Sequence, residues 1–177
     1  FSAGGTEDRT VTDILFKTKD YLFSYRFSGI LVRDGKVLLQ KPTNDGSYAF
    51  PGGHVVLGET NAETLIREWK EEIGVDIIVT DLKWVEENIF PSWQGDGRIC
   101  HQICLNYAVR LMDESQIQPS GCFLSKEVDL AQDRGYEINF CWVPIEDVYN
   151  LEVYPAKAAE LLTRMDEGVA HIVYREE

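Results

Sequence analysis

Apolar residues recur along this chain in two rhythms, and the change of rhythm marks its elements. Phe27 to Val32 and Lys36-Val37-Leu38-Leu39-Gln40 are short strand-like runs. Asp34-Gly35 between them is a favoured two-residue hairpin turn. Upstream, Thr12 to Tyr25 is expected to hold at least one more extended segment. A second hairpin is predicted from Ile77-Ile78-Val79 and Leu82 to Phe90 against Cys100 to Leu111, with Pro91 to Gly97 as its turn. Ile138 to Val143 reads as a short strand and Val169 to Tyr174 as a last extended segment. Pro155 suits the first position of a helix running through Met165. Met112 to Gly135 is polar and irregular, the pattern of a long loop.

One segment follows the helical period instead. Ala62, Leu65, Ile66, Trp69 and Ile73 fall at i, i+3, i+4, i+7 and i+11, which predicts one buried helix face. Thr60 or Asn61 is placed to cap its start, with Glu63 or Thr64 three residues on, as a capping box asks if Thr60 is the cap. Gly74 stands where a left-handed residue ends a helix. Hairpins with a helix inserted between them give an α+β layered architecture, with no repeats and no low-complexity tract.

The polar side of that helix carries the chemistry. At about 100° per residue, Glu72 lies roughly 40° to one side of Glu68 and Glu71 roughly 60° to the other, so three carboxylates share one edge beside the apolar face. Like charges this close repel, and a hard divalent cation such as Mg²⁺ or Mn²⁺, which takes oxygen ligands, would relieve them. Arg67 flanks the acidic edge, and Glu59 in the preceding loop is a possible partner; a guanidinium orients carboxylates through paired hydrogen bonds. Phe50-Pro51-Gly52-Gly53 has no simple strand pattern, and its adjacent glycines suit a backbone that approaches a ligand closely. The Gly53 carbonyl is a candidate to join the metal shell.

Composition narrows the partners. The 177 residues, 44% apolar, are sized for one domain with a substantial core. Residues 1–10, opening Phe1-Ser2-Ala3-Gly4-Gly5, are read as a tail outside the fold and 11–177 as a single domain. No run of eighteen apolar residues and no basic-headed signal peptide are visible, so neither a membrane span nor secretion is expected. Cys100, Cys104, Cys122 and Cys141 form no C-x-x-C pair, and a buried free thiol is their default reading, which suits a reducing cytoplasm. A formal charge of −13 argues against a nucleic-acid polymer as partner. A small phosphorylated substrate remains open, because a bound metal reverses the sign of the local field.

The order Gly53, five residues, Glu59, seven residues, Arg67-Glu68-Trp69-Lys70-Glu71-Glu72-Ile73-Gly74-Val75 resembles the signature of the Nudix hydrolases, with every fixed position filled. A weaker resemblance extends over roughly Asp13 to Met165, through Tyr25-Arg26, Val85-Glu86-Glu87-Asn88, His101 and Trp142-Val143-Pro144. It implies an α/β/α sandwich around a mixed β-sheet and metal-dependent hydrolysis of a diphosphate linked to another moiety, usually a nucleoside. Carried over, Glu68, Glu71 and Glu72 resemble the Mg²⁺ or Mn²⁺ ligands, Glu71 or Glu72 also serves near the attacking water, and Arg67 and Glu59 look like the supporting pair. Trp69 is bulky where the family is more often aliphatic, which implies a roomy core pocket. A homodimer is what the family suggests.

Beyond that edge the residues leave alternatives open. Glu127, Asp129 and Glu137, in or beside the long loop, are candidates for a further ligand or a general base. Phe50, Trp93 and Tyr48 are candidates to stack a base, and His54, His101, Arg26 and Lys41 to meet phosphates; each is also readable as core edge or solvated surface. The first expectation is a hydrolase of a nucleoside triphosphate or of a nucleotide sugar such as ADP-ribose. The alternatives are a nucleotide-sensing module without turnover and a prenyl diphosphate isomerase sharing the fold.

Overall fold

The computed structural model describes residues 11–127 and 135–176, so the tail at 1–10 lies outside them. The elements in chain order are β1 (Leu15–Lys17), β2 (Tyr21–Ile30), β3 (Val32–Arg33), β4 (Lys36–Pro42), β5 (Tyr48–Ala49), β6 (Gly52–His54), α1 (Asn61–Glu72), β7 (Ile77–Pro91) and β8 (Ile99–Leu111). A 3-10 turn at Glu114–Gln116 precedes β9 (Cys122–Leu124) and β10 (Ile138–Pro144). Another at Ile145–Asn150 leads to β11 (Val153–Tyr154), α2 (Ala158–Leu162) and β12 (Ala170–Arg175). The first sheet runs β1-β2-β8-β7-β12 with β6 also on β2, and the second runs β11-β5-β4-β10-β9 with β3 also on β4. Both are mixed, because β2/β8, β7/β12 and β11/β5 are parallel pairs.

Local chemistry accounts for the parts. Asp34 and Gly35 both take positive φ, 51° and 71°, and close the β3–β4 hairpin as their sequence predicts. Thr60 caps α1 in a full capping box with Glu63, and Gly74 at φ 82° follows its end. The Trp69 ring, 1% exposed, packs where a Cβ on Gly29 would stand 2.6 Å from it. The indole is accommodated because the strand beneath it has no side chain at that point. Around it Phe27, Leu65, Ile73 and Val109 join Leu38, Phe140 and Trp142 of the second sheet. A second cluster of Ile30, Trp84, Val37, Leu39, Val143 and Leu161 lies on the opposite side of the first sheet.

Several expectations change. Ile77 to Pro91 is one continuous strand, irregular only between Val79 and Trp84, where the register against β8 shifts. The long polar loop contains β9, whose three residues pair with β10. Helix α2 is only five residues long and begins after a turn in which the Ala158 N–H donates to the Pro155 carbonyl. Ile66 is exposed, and Thr64 takes the buried place instead, its hydroxyl donating to Glu59. Cys122 and Cys141 are not free thiols: they face each other across β9 and β10 and are joined by a disulfide. That bond removes the support which free thiols lent to a reducing compartment. Cys100 and Cys104 remain free and buried.

Candidate metal and phosphate site

The site is assembled from α1, the loop before it and the segment after β9. Thr64 and Arg67 hold Glu59 from the helix: the threonine hydroxyl donates at 2.8 Å, and Arg67 grips both carboxylate oxygens, Nε to Oε1 and Nη2 to Oε2, each at 3.1 Å. The same guanidinium donates through Nη1 to Glu68 at 2.7 Å and to Glu71 at 3.1 Å. One arginine therefore orients three acids. Its hydrogen bonds hold Glu59 below the usual carboxylate range, and those acids raise Arg67 above its ordinary value. Glu68 moves the other way. Burial pushes it up, Arg67 counters, and the charges of Glu127 and Glu71 push it further.

Glu127 reaches this edge because the Lys126 N–H donates to the Glu72 carbonyl at 2.8 Å, tying the segment after β9 to the end of α1. Carboxylate oxygens of Glu68, Glu72 and Glu127 lie within 4.8 Å of one another. Hard oxygen donors of like charge, half-buried and converging, fit a divalent cation of the Mg²⁺ or Mn²⁺ type. Burial raises the energy of the charged forms, and a cation in their midst would lower it. Glu71 stands beside this trio with its side chain 44% exposed.

The neighbouring edge of the first sheet carries a cation. Reading across β6, β2, β8, β7 and β12, the residues His54, Arg26, Cys104, Glu86 and Ile172 form one row on one face. This face is turned away from α1, which packs against the Gly29 side. The two faces meet at the β6 edge. There Asp13 is pushed up by burial and pulled down by both Arg26 and Arg67. His54 Nδ1 is 3.8 Å from Asp13, and burial, reinforced by Arg26, depresses the imidazole to about 4, so it is neutral at neutral pH. Trp93, half exposed, stands with its ring centroid 6.2 Å from that of His54 and 6.3 Å from that of Phe90.

Other candidates lie elsewhere. Phe50 is 3% exposed and packs edge-on against Trp84 at 5.1 Å, so it belongs to the core and presents no stacking surface. Lys41 covers the Tyr48 ring at 4.9 Å. His101 points to the opposite face from the Arg26 row, 3.6 Å from Glu87. Glu137 is exposed, and its backbone is tied to Thr43 at both N–H and carbonyl. Asp129 lies outside the described residues. Gly53 sits in β6 opposite Phe27, and a Cβ on its neighbour Gly52 would stand 2.0 Å from the Phe27 carbonyl, which accounts for glycine there.

Sequence reasoning gave no site role to Asp13, Glu86, Asn88 or Asn106, although Glu86 and Asn88 stand in a segment that carries the family resemblance. The signal was available for the last three. They occupy the inward positions of β7 and β8, where strand alternation calls for apolar side chains.

An α+β domain of two mixed sheets, with carboxylates converging along one helix edge, has the construction of a hard-cation site. The Nudix domain profile matches residues 25–165, and the chain belongs to the Nudix family. It is 35% identical over 122 residues to a MutT-like protein of Streptomyces ambofaciens, a match covering 54% of this chain and 79% of that protein. It is 48% identical over 50 residues to an ADP-ribose pyrophosphatase of Methanocaldococcus jannaschii, which covers 27% of this chain and only 30% of that protein. With a CTP pyrophosphohydrolase of Escherichia coli the match is 39% over 78 residues, 42% of this chain and 54% of that protein. The fold resembles the MutT protein of Bacillus halodurans, with a TM-score of 0.59 at 18% identity over 86% of this chain and 89% of that one.

Proposed function

We propose that this chain is a metal-dependent hydrolase that cleaves the diphosphate linkage of a nucleoside diphosphate derivative, a nucleoside triphosphate or a nucleotide sugar. The observation that carries the reading is the convergence of Glu68, Glu72 and Glu127 within 4.8 Å beside an arginine that orients Glu59, Glu68 and Glu71. Relatives named for ADP-ribose, for CTP and for likeness to MutT support the substrate class.

In this reading Glu68, Glu72 and Glu127, with the Gly53 carbonyl, hold Mg²⁺ or Mn²⁺. A bound ion of this kind neutralises phosphate oxygens and makes a coordinated water more acidic. Arg67 fixes the carboxylates so that their geometry does not have to be organised during the reaction. Glu71, the more exposed acid on the edge, accepts the proton of the attacking water. Arg26 meets a phosphate oxygen, and neutral His54 offers a hydrogen bond without adding charge. Removing Arg67 would leave three acids without their shared donor.

The test is phosphate release from nucleoside triphosphates and nucleotide sugars with Mg²⁺ or Mn²⁺, for the wild type beside Glu71→Gln. Turnover by the wild type with a large loss in the variant supports the reading. A wild type as inert as the variant, yet binding nucleotide, would replace it with a sensing module. Equal rates in both would remove the catalytic role from the α1 edge.

A further inference from the structure

A cavity of about 380 Å³ opens between the first sheet and the turn after β11. Its floor is Glu86, Asn88 and Gln102; Phe90, Tyr154 and Tyr174 stand at its sides. The floor is built, since Glu86 is 6% and Asn88 8% exposed. Asn106 donates to Glu86 Oε1 at 2.7 Å, and Asn88 donates through Nδ2 to Oε2 at 3.1 Å. Asn106 is fixed in turn by the Ser28 hydroxyl, which donates to its Oδ1. Burial pushes the Glu86 carboxyl up, and Asn88, Asn106 and Arg26 counter it.

This cluster is costly to bury, and a core of apolar side chains would avoid the cost. Its arrangement leaves capacity unused. Each Glu86 oxygen accepts one amide N–H here and has room for another donor. Asn88 spends one N–H on Glu86 and keeps its carbonyl and its second N–H. Among the described residues the half-buried Gln102 amide has no hydrogen-bond partner. Acceptors and donors thus stand side by side on a floor flanked by aromatic rings.

Position supplies the other half. Glu86 and Arg26 occupy the same row two strands apart, about 10 Å at the usual strand spacing. A ligand with a phosphate at Arg26 can therefore lay a planar group in the cavity across one sugar. We propose that the cavity holds the nucleobase of the substrate, with Glu86 accepting an N–H from the base's hydrogen-bonding edge, Asn88 and Gln102 reading the adjacent positions, and the aromatic walls covering its faces. The proposal rests on the diphosphate reading of the α1 edge. A carboxylate acceptor with adaptable amides disfavours a base that presents only acceptors at that point, so Glu86 is a specificity-determining residue that reads the base.

The experiment measures kcat and KM with Mg²⁺ for ATP, GTP, CTP and UTP, and calorimetric binding of the four nucleoside monophosphates without metal. The proteins are the wild type, Glu86→Gln and Tyr154→Ala, with melting curves for each. Glu86→Gln exchanges an acceptor for a donor, so it should reorder the four bases by about tenfold, in KM more than in kcat. Tyr154 is 51% exposed, so its truncation leaves the core intact should Glu86→Gln fold poorly. Tyr154→Ala should weaken binding of the preferred base severalfold. Unchanged KM and binding in both variants would overturn the proposal, as would absence of monophosphate binding to the wild type. Monophosphate binding that depends on Glu86, without turnover of any triphosphate or nucleotide sugar, would leave the base site standing and end the hydrolase reading instead.

Discussion

The first sheet has acids on both of its sides, half-buried or exposed beside α1 and buried on the other face, and they are held in opposite ways. On the α1 side, Glu59, Glu68 and Glu71 share one guanidinium, and Glu68, Glu72 and Glu127 converge with like charge. On the other side, Glu86 is wrapped by the neutral amides of Asn88 and Asn106. Carboxylates crowded together in this way attract a cation. A single acid held by amides stays an acceptor for a neutral donor, which suits recognition. The two sides should therefore respond to different perturbations.

The largest effect is expected on the α1 side. Glu72→Gln should lower kcat/KM on the order of 10³-fold, about 4 kcal/mol of transition-state stabilisation, and should weaken Mn²⁺ binding measured by calorimetry. Nucleoside monophosphate binding without metal should be unaffected. A loss below tenfold would show that the converging carboxylates are not the reactive centre and would erase the contrast between the two sides.

Next comes the bond that holds the β9 segment, and with it Glu127, in place. Cys122 and Cys141 are 19 positions apart, and cross-linking a chain loop of this order stabilises by about 3 kcal/mol. Reduction by a dithiol, or Cys122→Ser with Cys141→Ser, should lower Tm by about 6–12 °C in a domain of this size. Glu127 follows β9 by three residues, so metal affinity should fall in the reduced protein as well. An unchanged melting curve with and without reductant would show that the three β9–β10 pairings suffice by themselves.

What could be read in the sequence divides along the same line. The α1 edge was legible because a helix converts spacing directly into direction: Glu68, Glu71 and Glu72 share an edge in any helix, and Thr60, Glu63 and Gly74 mark its ends by local chemistry. The Asp34-Gly35 hairpin was legible for the same reason. Glu127 could be named as a candidate but not placed, since its position depends on β9 pairing with β10 across an intervening loop. The row from His54 to Glu86 crosses four strands drawn from four parts of the chain, and its register is set by packing that no local pattern encodes. Phe50 and His101 each admit two readings for that reason: an aromatic after a turn and a histidine on a strand do not reveal which face they occupy.

A smaller effect tests whether α1 can shift on its sheet. Gly29→Ala places a Cβ 2.6 Å from the Trp69 ring, so ring or helix must move, at a cost of about 2 kcal/mol. Tm should fall by about 4–8 °C. Because Trp69 follows Glu68 directly, kcat should fall with it, whereas the base preference set on the opposite face should persist. A variant that keeps its kcat while losing stability would show that Arg67, rather than helix docking, fixes the acids.

The smallest effect lies at the start of α1, where stability and site geometry can be separated. Thr60 accepts from the Glu63 N–H at 3.2 Å, while Glu63 accepts from the Thr60 N–H at 2.7 Å and from its hydroxyl at 3.0 Å. Thr60→Ala removes the hydroxyl's part and should cost about 1 kcal/mol, seen as a drop of about 2–4 °C in Tm at neutral pH. The Thr60 backbone and side chain hold the Glu63 carboxyl below its ordinary range. A depressed carboxyl contributes stability that is present above its unfolded pKa and is lost as pH falls through the lower, folded value. The difference between wild type and Thr60→Ala should therefore be full at neutral pH and narrow in acid, below the ordinary glutamate range. Activity at neutral pH should stay within about twofold, because Arg67 and Thr64 hold Glu59 without the cap. A tenfold loss of kcat/KM would mean that the cap itself positions Glu59, and the α1 edge would then depend on its helix terminus as much as on its arginine.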